Sequence, residues 1–424
     1  MRVRPADLGP LAGAARRAGQ ALSTPITLAR QAGLIGAYAR LAGWRTAPFL
    51  RWAARWDNLF QAGAGATRIG CFGPAPHVVW EVTQRCNLRC AHCHASGGPQ
   101  AAPDELTTAE ARAFVDQVVQ AGRAGWGARI LVFSGGEPLM RPDLLDLIAQ
   151  ARRGGLAVFL ATNGVLLDEP LARRLKALRV GVVIGLDAMT PDLHDEIRGL
   201  PGAWEGAIRG IETCARLGLY FHLNVVATAR NLDEVGPIID YGNRLGAYSH
   251  FVYRFVPVGR GLEADALRLD PTQLGRLLEI IADRQRHGTA IVIPVALPEF
   301  WARALRERGM GDARRIEALG RSFPGCQAGR GLTYVKPDGA VWACPFTPAE
   351  VGNVRREGLE ALSRRLEEAF AAPACPDAAG CPWGAVCGGC HACLGAGEPC
   401  ALGVAGDTAA PRMAGESEAR KDYG

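Results

Sequence analysis

The feature that most constrains the fold is a series of short apolar runs separated by helix-length segments. Six such runs occur, at residues 77–83, 130–133, 157–160, 180–184, 222–226 and 251–261. The segment at residues 171–178 places its arginine and lysine on one side, as an amphipathic helix does. Strands that alternate with helices form a parallel sheet with right-handed crossovers. The sequence therefore predicts an α/β fold, in the form of a partial (β/α)6 TIM-like barrel.

Polar motifs follow the first four runs, at the strand ends where a barrel places its active site. The first run leads into CNLRCAHC, which spaces Cys86, Cys90 and Cys93 as C-x3-C-x2-C. A four-iron cluster takes one thiolate per iron, so three cysteines leave one iron open to a small molecule. The next three runs end in Gly135-Gly136-Glu137, Thr162-Asn163-Gly164 and Gly185-Leu186-Asp187.

Simpler interpretations of these residues stay open. Cys90 and Cys93 alone would suit half of a zinc knuckle or a redox pair. Asn163 and Asp187 would suit caps of the helices that follow them. The third cysteine and the order of the motifs favour an iron–sulfur site.

The motif order resembles that of the radical S-adenosylmethionine (SAM) enzymes. The resemblance implies that Cys86, Cys90 and Cys93 hold a [4Fe-4S] cluster whose open iron chelates SAM. Reduction of the cluster would cleave SAM to methionine and a 5'-deoxyadenosyl radical, which abstracts hydrogen from the substrate. The resemblance also implies a set of SAM-binding residues. His92 would lie near the adenine, and the backbone of Gly135, Gly136 and Glu137 would meet the methionyl amine. Asn163 and Asp187 complete the set.

A second concentration of cysteines lies in the C-terminal hundred residues. Pro337-Asp338-Gly339 between two strand-like runs predicts a hairpin turn that brings Cys326 and Cys344 together. The region resembles the SPASM domain of many radical SAM maturases, and the resemblance implies two auxiliary [4Fe-4S] clusters. The candidate ligands are Cys326, Cys344, Cys375, Cys381, Cys387, Cys390, Cys393 and Cys400.

The match to the SPASM pattern is incomplete. Ala378 stands where the family usually has a cysteine, and Cys375 is the substitute from a longer loop. Cys393 and Cys400 compete for the last ligand position. Eight cysteines would ligate two clusters fully, whereas seven would leave one iron open. A zinc ribbon is the alternative for the whole patch.

Length and composition suit a protein of several domains. The 424 residues are 48% hydrophobic, which is ample for a globular core. We expect a basic helical extension at 1–76, the barrel at 77–320, the auxiliary-cluster domain at 321–402 and a disordered tail at 403–424. There is no cleavable signal-peptide pattern and the cysteines fall in metal-ligand groups, so the cytoplasm is the expected compartment. Cys71 and Cys214 are expected to be ordinary thiols.

The first seventy residues carry ten arginines and two acidic residues, although the whole chain has a net charge of only +6. Apolar positions recur at helical spacing over residues 26–59, with Trp44, Trp52 and Trp56 among the arginines. Such a segment suits a peripheral membrane contact or an acidic partner. The alternative is a set of helices packed on the barrel with solvated arginines. We expect no nucleic-acid partner.

Three functions stay open, because the motifs report the cofactor and not the substrate. The motif set looks closest to the branch with the tetrapyrrole-modifying enzymes of haem and haem d1 synthesis and the mycofactocin maturase. The first function is a maturase that oxidises, decarboxylates or cross-links a ribosomal peptide or protein. The second is a tetrapyrrole-modifying enzyme, in which Arg254 and Arg260 would bind propionates. The third is a non-catalytic iron–sulfur or zinc protein. A flavodoxin or ferredoxin is the expected electron donor of an active enzyme.

Overall fold

The computed structural model describes residues 77–123, 130–309, 311–320, 325–395 and 397. The expectations for the N-terminal extension, the tail, Cys71 and Cys400 lie outside the described residues. Ten described strands form one sheet, in the order β10-β9-β8-β1-β2-β3-β4-β5-β6-β7. They are β1 His77–Glu81, β2 Ile130–Ser134, β3 Ala157–Thr162, β4 Gly181–Gly185, β5 Phe221–Ala227, β6 Ser249–Arg254, β7 Ile291–Val295, β8 Leu332–Val335, β9 Ala340–Cys344 and β10 Thr347–Asn353.

The eight strands from β8 through β1 to β7 are mutually parallel. Alternate residues along them, such as Val79 and Val132, line a central cavity. Their chain neighbours Trp80 and Phe133 are buried in the outer core, where Trp80 packs edge-on against Phe114 with ring centroids 5.1 Å apart. A parallel sheet whose alternate side chains surround one cavity is curved as in a barrel. The predicted partial barrel is therefore confirmed.

Helices connect the parallel strands, as the alternation predicted. Asp168 caps α3 by accepting a hydrogen bond from the amide of Leu171 at 2.9 Å. Asp270 and Gln273 form a reciprocal capping box at the start of α7. The described α-helices are α1 Thr108–Arg123, α2 Leu144–Arg153, α3 Glu169–Ala177, α4 Pro191–Arg198, α5 Ala203–Leu217, α6 Val235–Leu245, α7 Pro271–His287, α8 Glu299–Glu307, α9 Ala313–Gly320, α10 Leu359–Ala369, α11 Gly384–Cys387 and α12 His391–Gly395. None of them is both long and apolar enough to cross a bilayer.

Two features differ from the sequence prediction. The sixth strand ends at Arg254, and not at residue 261, because Pro257 has no amide hydrogen and the chain turns so that the amide of Val258 donates to Val256. A seventh parallel strand, β7, was not predicted. It contains Pro294, which a sheet tolerates at an edge, and β7 is the edge strand next to β6.

The predicted hairpin is confirmed, and it joins the barrel sheet. β8 and β9 are antiparallel, and Gly339 in the turn has a φ of 85°, a conformation that favours glycine. β8 also pairs with β1 in parallel. The first strands of the C-terminal region therefore extend the sheet of the barrel, and Cys344 lies at the end of β9.

Candidate active site

The three cysteines of the C-x3-C-x2-C motif lie on a loop that follows β1, which we call the cysteine loop (residues 86–93). The backbone of the loop is tied to the end of α4. The amide of Arg89 donates to the carbonyl of Arg198 at 3.1 Å, and the amide of Ala91 donates to that of Ile197 at 2.9 Å. The loop is therefore fixed at the carboxyl end of the strands, as predicted.

Arg260 fastens the other side of the cysteine loop. Its guanidinium donates to the carbonyls of Cys90 at 2.8 Å and Gly97 at 2.5 Å. Its amide donates to the carbonyl of Cys93 at 3.0 Å. The donors of Arg260 are thus directed to the loop, so the expected propionate-binding role is not supported for this residue.

The paired glycines after β2 lie directly against residues 83–85, the segment that leads into the cysteine loop. The amide of Gly136 donates to the carbonyl of Thr83 at 2.8 Å. A Cβ at Gly136 would stand 2.5 Å from the carbonyl oxygens of Gln84 and Arg85. Gly135 has a φ of 141°, and a Cβ there would collide with the Thr83 carbonyl. Both glycines line the cavity, so their backbone is accessible to a ligand, as the resemblance implied.

The side chain of Glu137 points away from this cavity. It is fully buried and accepts hydrogen bonds from the Thr162 hydroxyl, the Asn163 amide and the Leu139 amide at 2.9, 2.9 and 3.0 Å. Burial raises the pKa of Glu137 to about 7 despite these donors. Glu137 therefore joins the glycine segment to the end of β3. Glu137 is not among the residues that line the cavity, and its amide donates to the carbonyl of Arg85 at 2.8 Å.

Asn163 does line the cavity. Its side-chain amide donates to Oδ1 of Asn87 in the cysteine loop at 2.8 Å, and its Oδ1 accepts from the amide of Val165 at 3.0 Å. The residue therefore caps the turn after β3 and contacts the loop at the same time. Asn163 does not cap the following helix, because that helix begins at Glu169 and Asp168 is its cap.

Asp187, at the end of β4, is completely buried behind the cavity wall. Its Oδ2 lies 2.8 Å from Nε of Arg198 and 3.5 Å from Nε2 of His92, and its Oδ1 accepts from the amide of Val226 at 3.0 Å. Burial opposes ionisation, but Arg198 and His92 hold the pKa of Asp187 below its usual value. Burial also lowers the pKa of His92 to about 4, so this imidazole is neutral at pH 7. Asp187 thus positions two cavity-lining residues.

Arg198 is the functional residue that the sequence analysis did not select. Its guanidinium lines the cavity beside Gly185 and contacts the thiol of Cys90. In the sequence, Arg198 lies in the HDEIRG run at residues 194–199, after the predicted fourth strand. No motif spacing marked this arginine as a site residue. A buried cation beside a thiolate favours the charged form of the sulfur.

The chemistry of the cysteine loop fits an iron–sulfur cluster. Burial raises the pKa of Cys86 to about 11 and that of Cys90 to about 12, so both thiols are protonated until a metal displaces the proton. Cys86, Cys90 and Cys93 all face the same cavity. Among the described residues, no three Cys, His, Asp or Glu side chains converge as the ligands of a single ion would. In a four-iron cluster each thiolate binds a different iron, so the ligands surround the cluster and do not meet at one point.

The cavity below the cysteine loop extends through the barrel and has a volume of about 300 Å³. Its wall is largely apolar and aromatic, and it contains the buried guanidinium of Arg254 at the end of β6. Arg254 Nη1 lies 3.5 Å from Oε1 of Glu299 in α8. Concave apolar sites with a few placed polar groups are typical of ligand sites.

A buried network joins the cysteine loop to the C-terminal hairpin. Tyr334 of β8 donates a hydrogen bond to Glu81 of β1 and lies 3.0 Å from Nε2 of His94, which follows the last loop cysteine. Lys336 Nζ lies 2.6 Å from the second oxygen of Glu81. Burial opposes ionisation of Glu81, yet Lys336 and His94 together hold its pKa to about 2. His94 and Tyr334 both line the cavity.

The C-terminal cysteines within the described residues are mostly buried. Cys326, Cys344, Cys387, Cys390 and Cys393 are buried, whereas Cys375 and Cys381 are half-buried. No disulfide is formed among the described cysteines. Cys214 is a buried thiol of the barrel core, as expected for a residue outside both groups.

Comparison with known proteins identifies the class. The model of the Radical SAM superfamily matches residues 80–241. The AdoMet-dependent heme synthase of Methanosarcina barkeri is 32% identical over 299 residues, which cover 69% of this chain and 83% of that protein. The chain therefore belongs to the radical SAM superfamily, and it is an enzyme of the class that uses a [4Fe-4S] cluster and SAM.

A second sequence relative and a solved structure are also similar to this chain. The mycofactocin maturase MftC of Mycobacterium tuberculosis is 32% identical over 321 residues, which cover 70% of this chain and 74% of that protein. SuiB of Streptococcus suis, in a crystal structure with the precursor peptide SuiA, shares the fold with a TM-score of 0.59. That match covers 76% of this chain and 72% of SuiB at 18% identity.

Proposed function

We propose that this chain cleaves SAM reductively and uses the resulting radical to abstract hydrogen from a substrate held in the barrel cavity. The observation that carries the proposal is the cysteine loop, whose three thiols open onto a cavity inside a radical SAM barrel. When bound, the cluster and SAM supply a 5'-deoxyadenosyl radical. Cys86, Cys90 and Cys93 would hold the cluster, and the backbone of Gly135 and Gly136, which lines the cavity, would contact SAM.

Neighbouring residues hold the parts of this site in place. Arg260 and the end of α4 fix the cysteine loop, while Asp187 orients Arg198 and keeps it charged beside Cys90. The largely apolar wall would limit access of water to the space where a substrate radical would form. Exclusion of water protects reactive intermediates from side reactions.

The first substrate candidate is a ribosomally made peptide or protein that the enzyme oxidises, decarboxylates or cross-links. It is supported by the similarity to a mycofactocin maturase and by the shared fold with an enzyme crystallised with a precursor peptide. The C-terminal cysteines would hold two auxiliary clusters that accept an electron from the oxidised substrate. A flavodoxin or ferredoxin would reduce the SAM cluster.

The second candidate is a tetrapyrrole that carries propionate groups. It is supported by the AdoMet-dependent heme synthase, of which the matched region covers 83%. Arg254 is a cation on the cavity wall, and an arginine suits a carboxylate ligand. Because Arg260 is bonded to the cysteine loop, the tetrapyrrole candidate relies on Arg254, which also pairs with Glu299.

One experiment separates the two candidates. The reconstituted enzyme, SAM and dithionite are incubated with an iron porphyrin that bears propionates, or with a short peptide encoded beside the gene. Each mixture is analysed by mass spectrometry for a product and for 5'-deoxyadenosine. A product from the porphyrin alone would contradict the peptide candidate, and a product from the peptide alone would contradict the tetrapyrrole candidate. A double Cys387→Ala, Cys390→Ala variant should lose product and retain some 5'-deoxyadenosine.

A further inference from the structure

Asn224 is a polar residue in the middle of β5, and it lines the cavity. Its Oδ1 is buried and has no hydrogen-bond partner among the described residues. Its side-chain nitrogen supplies two N–H donors, and neither bonds to another residue in the described part of the chain. Buried polar groups of native proteins are normally paired, so an unpaired carboxamide on a cavity wall suggests a ligand as its partner.

The strand register places Asn224 between a cation and an aromatic ring. It pairs with Gly185 of β4 on one side and with Phe251 of β6 on the other. Residues in register on neighbouring strands project to the same face of a sheet, and all three line the cavity. Gly185 has no side chain, and a Cβ there would stand 2.5 Å from Nη2 of Arg198. The Arg198 guanidinium therefore occupies the space beside Asn224.

This position is in the upper part of the cavity, near the cysteine loop. Gly185 is the last residue of β4, so its partner Asn224 lies at the carboxyl end of the neighbouring strand. The carbonyl of Arg198 accepts the hydrogen bond from the Arg89 amide of the cysteine loop at 3.1 Å. A group bound to Asn224 would therefore lie close to the place where hydrogen abstraction is proposed.

An aromatic wall continues from Asn224 toward the other end of the cavity. We use this name for the rings of Phe159, His222 and Phe251, which all line the cavity. The His222 ring lies 5.8 Å from the Phe251 ring and 5.7 Å from the Phe159 ring, between centroids. Aromatic surfaces of this kind bind a further ring by stacked or edge-on contacts. A ligand with a ring next to an amide group would match both features.

The two substrate candidates differ in what they offer to the Asn224 carboxamide. A peptide group has an N–H donor for Oδ1 and a C=O acceptor for Nδ2, so it can bond to both ends. An iron porphyrin has its pyrrole nitrogens bound to iron and its propionates ionised at pH 7, so it presents acceptors only. Such a ligand would leave Oδ1 buried and unpaired, which is unfavourable.

We propose that Asn224 binds a peptide group of the substrate, with Oδ1 accepting from its N–H and Nδ2 donating to its C=O, and that the aromatic wall binds an adjacent aromatic side chain. The assignment deepens the proposed function and rests on it for the place of the substrate. Asn224 thereby selects a substrate that carries amide groups over one that carries carboxylates alone.

The test measures the binding of two matched probes to the reconstituted enzyme with SAM and without reductant. N-acetyl-L-phenylalaninamide has a ring and amide groups, whereas 3-phenylpropionate has the same ring and a carboxylate. Dissociation constants are measured by saturation-transfer difference NMR for the wild type, Asn224→Leu and Asn224→Ser. Leucine keeps the shape of asparagine and removes both polar atoms. Val183→Ala is the control, because it removes only apolar contact from the same cavity.

We expect Asn224→Leu to weaken binding of the amide probe about tenfold, or about 1.4 kcal/mol, and binding of 3-phenylpropionate by less than about twofold. Asn224→Ser should show a smaller loss for the amide probe, because a hydroxyl replaces one of the two hydrogen bonds. Val183→Ala should weaken both probes by the same factor. Iron content, circular dichroism and the dissociation constant of SAM should match the wild type in all variants.

The proposal is overturned if the wild type does not bind the amide probe, or if Asn224→Leu weakens both probes equally. A greater loss for 3-phenylpropionate would show a carboxylate site instead, and a SAM dissociation constant raised about tenfold would assign Asn224 to the cofactor. If Asn224→Leu fails to fold, Asn224→Ser provides the same comparison. None of these measurements depends on SAM cleavage. Failure of the proposed function would appear separately, as absence of 5'-deoxyadenosine from the wild-type enzyme with dithionite.

Discussion

At the residue scale, Asp187 shows how a motif residue serves the site without facing it. Its carboxylate is fully buried and has no surface on the cavity, yet it contacts both Arg198 and His92, which do. Arg198 in turn lies against the thiol of Cys90. Asp187 therefore orients the side chains of Arg198 and His92, which line the cavity next to the cysteine loop.

Asp187→Asn should destabilise the protein, because it leaves the buried Arg198 guanidinium without an anion. Removing one partner of a buried ion pair typically costs about 3–5 kcal/mol, and we expect a loss near the lower end from urea unfolding under anaerobic conditions. Asp265→Asn is the control, because it breaks an exposed pair with Arg268 and should have no measurable effect. Equal effects of the two substitutions would contradict the structural role of Asp187.

The lowered pKa of Glu81 predicts that this residue makes a pH-dependent contribution to the free energy of unfolding. Its folded pKa of about 2 lies below the ordinary value of 4.5, so its ionised form is favoured by folding. The stabilisation is present above the unfolded pKa and is lost as the pH falls from about 5 toward 2. The difference in unfolding free energy between wild type and Glu81→Gln should therefore shrink over that range.

Lys336→Met tests the cause of this shift. Without the Lys336 ammonium, burial raises the pKa of Glu81, and the variant should gain stability relative to wild type as the pH falls. The measurement is the urea midpoint of wild type, both single variants and the double variant at several pH values. A pH-independent difference between wild type and Glu81→Gln would show that the ion pair does not set the pKa of Glu81.

At the element scale, the cysteine loop and residues 84 and 85 before it make close backbone contacts that require glycine in the neighbouring elements. Gly136 meets the carbonyls of Gln84 and Arg85, and Gly199, at the end of α4, has a φ of 68° and lies against the Arg89 carbonyl. The loop therefore has backbone of other elements on two sides. Its position depends on these close approaches as much as on the cysteines themselves.

Gly136→Ala should displace the cysteine loop, because its Cβ would stand 2.5 Å from two carbonyl oxygens. We expect loss of the SAM cluster, about four irons per chain, and a fall in 5'-deoxyadenosine of at least about tenfold. Gly98→Ala is the matched control in the adjacent segment, where an added Cβ meets nothing within 4 Å. Retention of full cluster content by Gly136→Ala would show that the glycine is not needed for loop placement.

The sequence predicted the elements whose signals are local. Continuous apolar runs identified β1 to β5, because strands buried on both faces carry no polar alternation. β7 was missed because Pro294 argues against a central strand, and the pattern does not reveal that the strand lies at an edge. The Glu81 and Tyr334 contact joins residues 253 positions apart, so no spacing rule could reveal it. The same holds for Arg198 beside Cys90.

At the scale of the whole molecule, the barrel and the C-terminal cysteine region are parts of one sheet. β8 pairs with β1. The Tyr334 hydroxyl in β8 donates a hydrogen bond to Glu81, the last residue of β1. The cavity touches both cysteine regions, through Cys93 on one side and Phe346 beside Cys344 on the other. A substrate in the cavity would therefore lie between the cysteine loop and the end of β9, where Cys344 lies.

Cluster content tests this two-region organisation. Anaerobically reconstituted protein should contain about twelve irons per chain, in three four-iron clusters. The Cys86→Ala, Cys90→Ala, Cys93→Ala variant should contain about eight. Iron and sulfide analysis with Mössbauer spectroscopy gives both numbers. About four irons in the wild type, or zinc in the C-terminal sites, would contradict the auxiliary clusters.

The central claim is that the cysteine loop cleaves SAM, and production of 5'-deoxyadenosine tests it most directly. Reconstituted wild-type enzyme with SAM and dithionite should form 5'-deoxyadenosine and methionine, measured by chromatography and mass spectrometry. The Cys86→Ala, Cys90→Ala, Cys93→Ala variant should form none, whereas Cys214→Ala should match the wild type. If fully reconstituted wild-type enzyme forms no 5'-deoxyadenosine, or if the triple variant forms as much as the wild type, the proposed function is wrong.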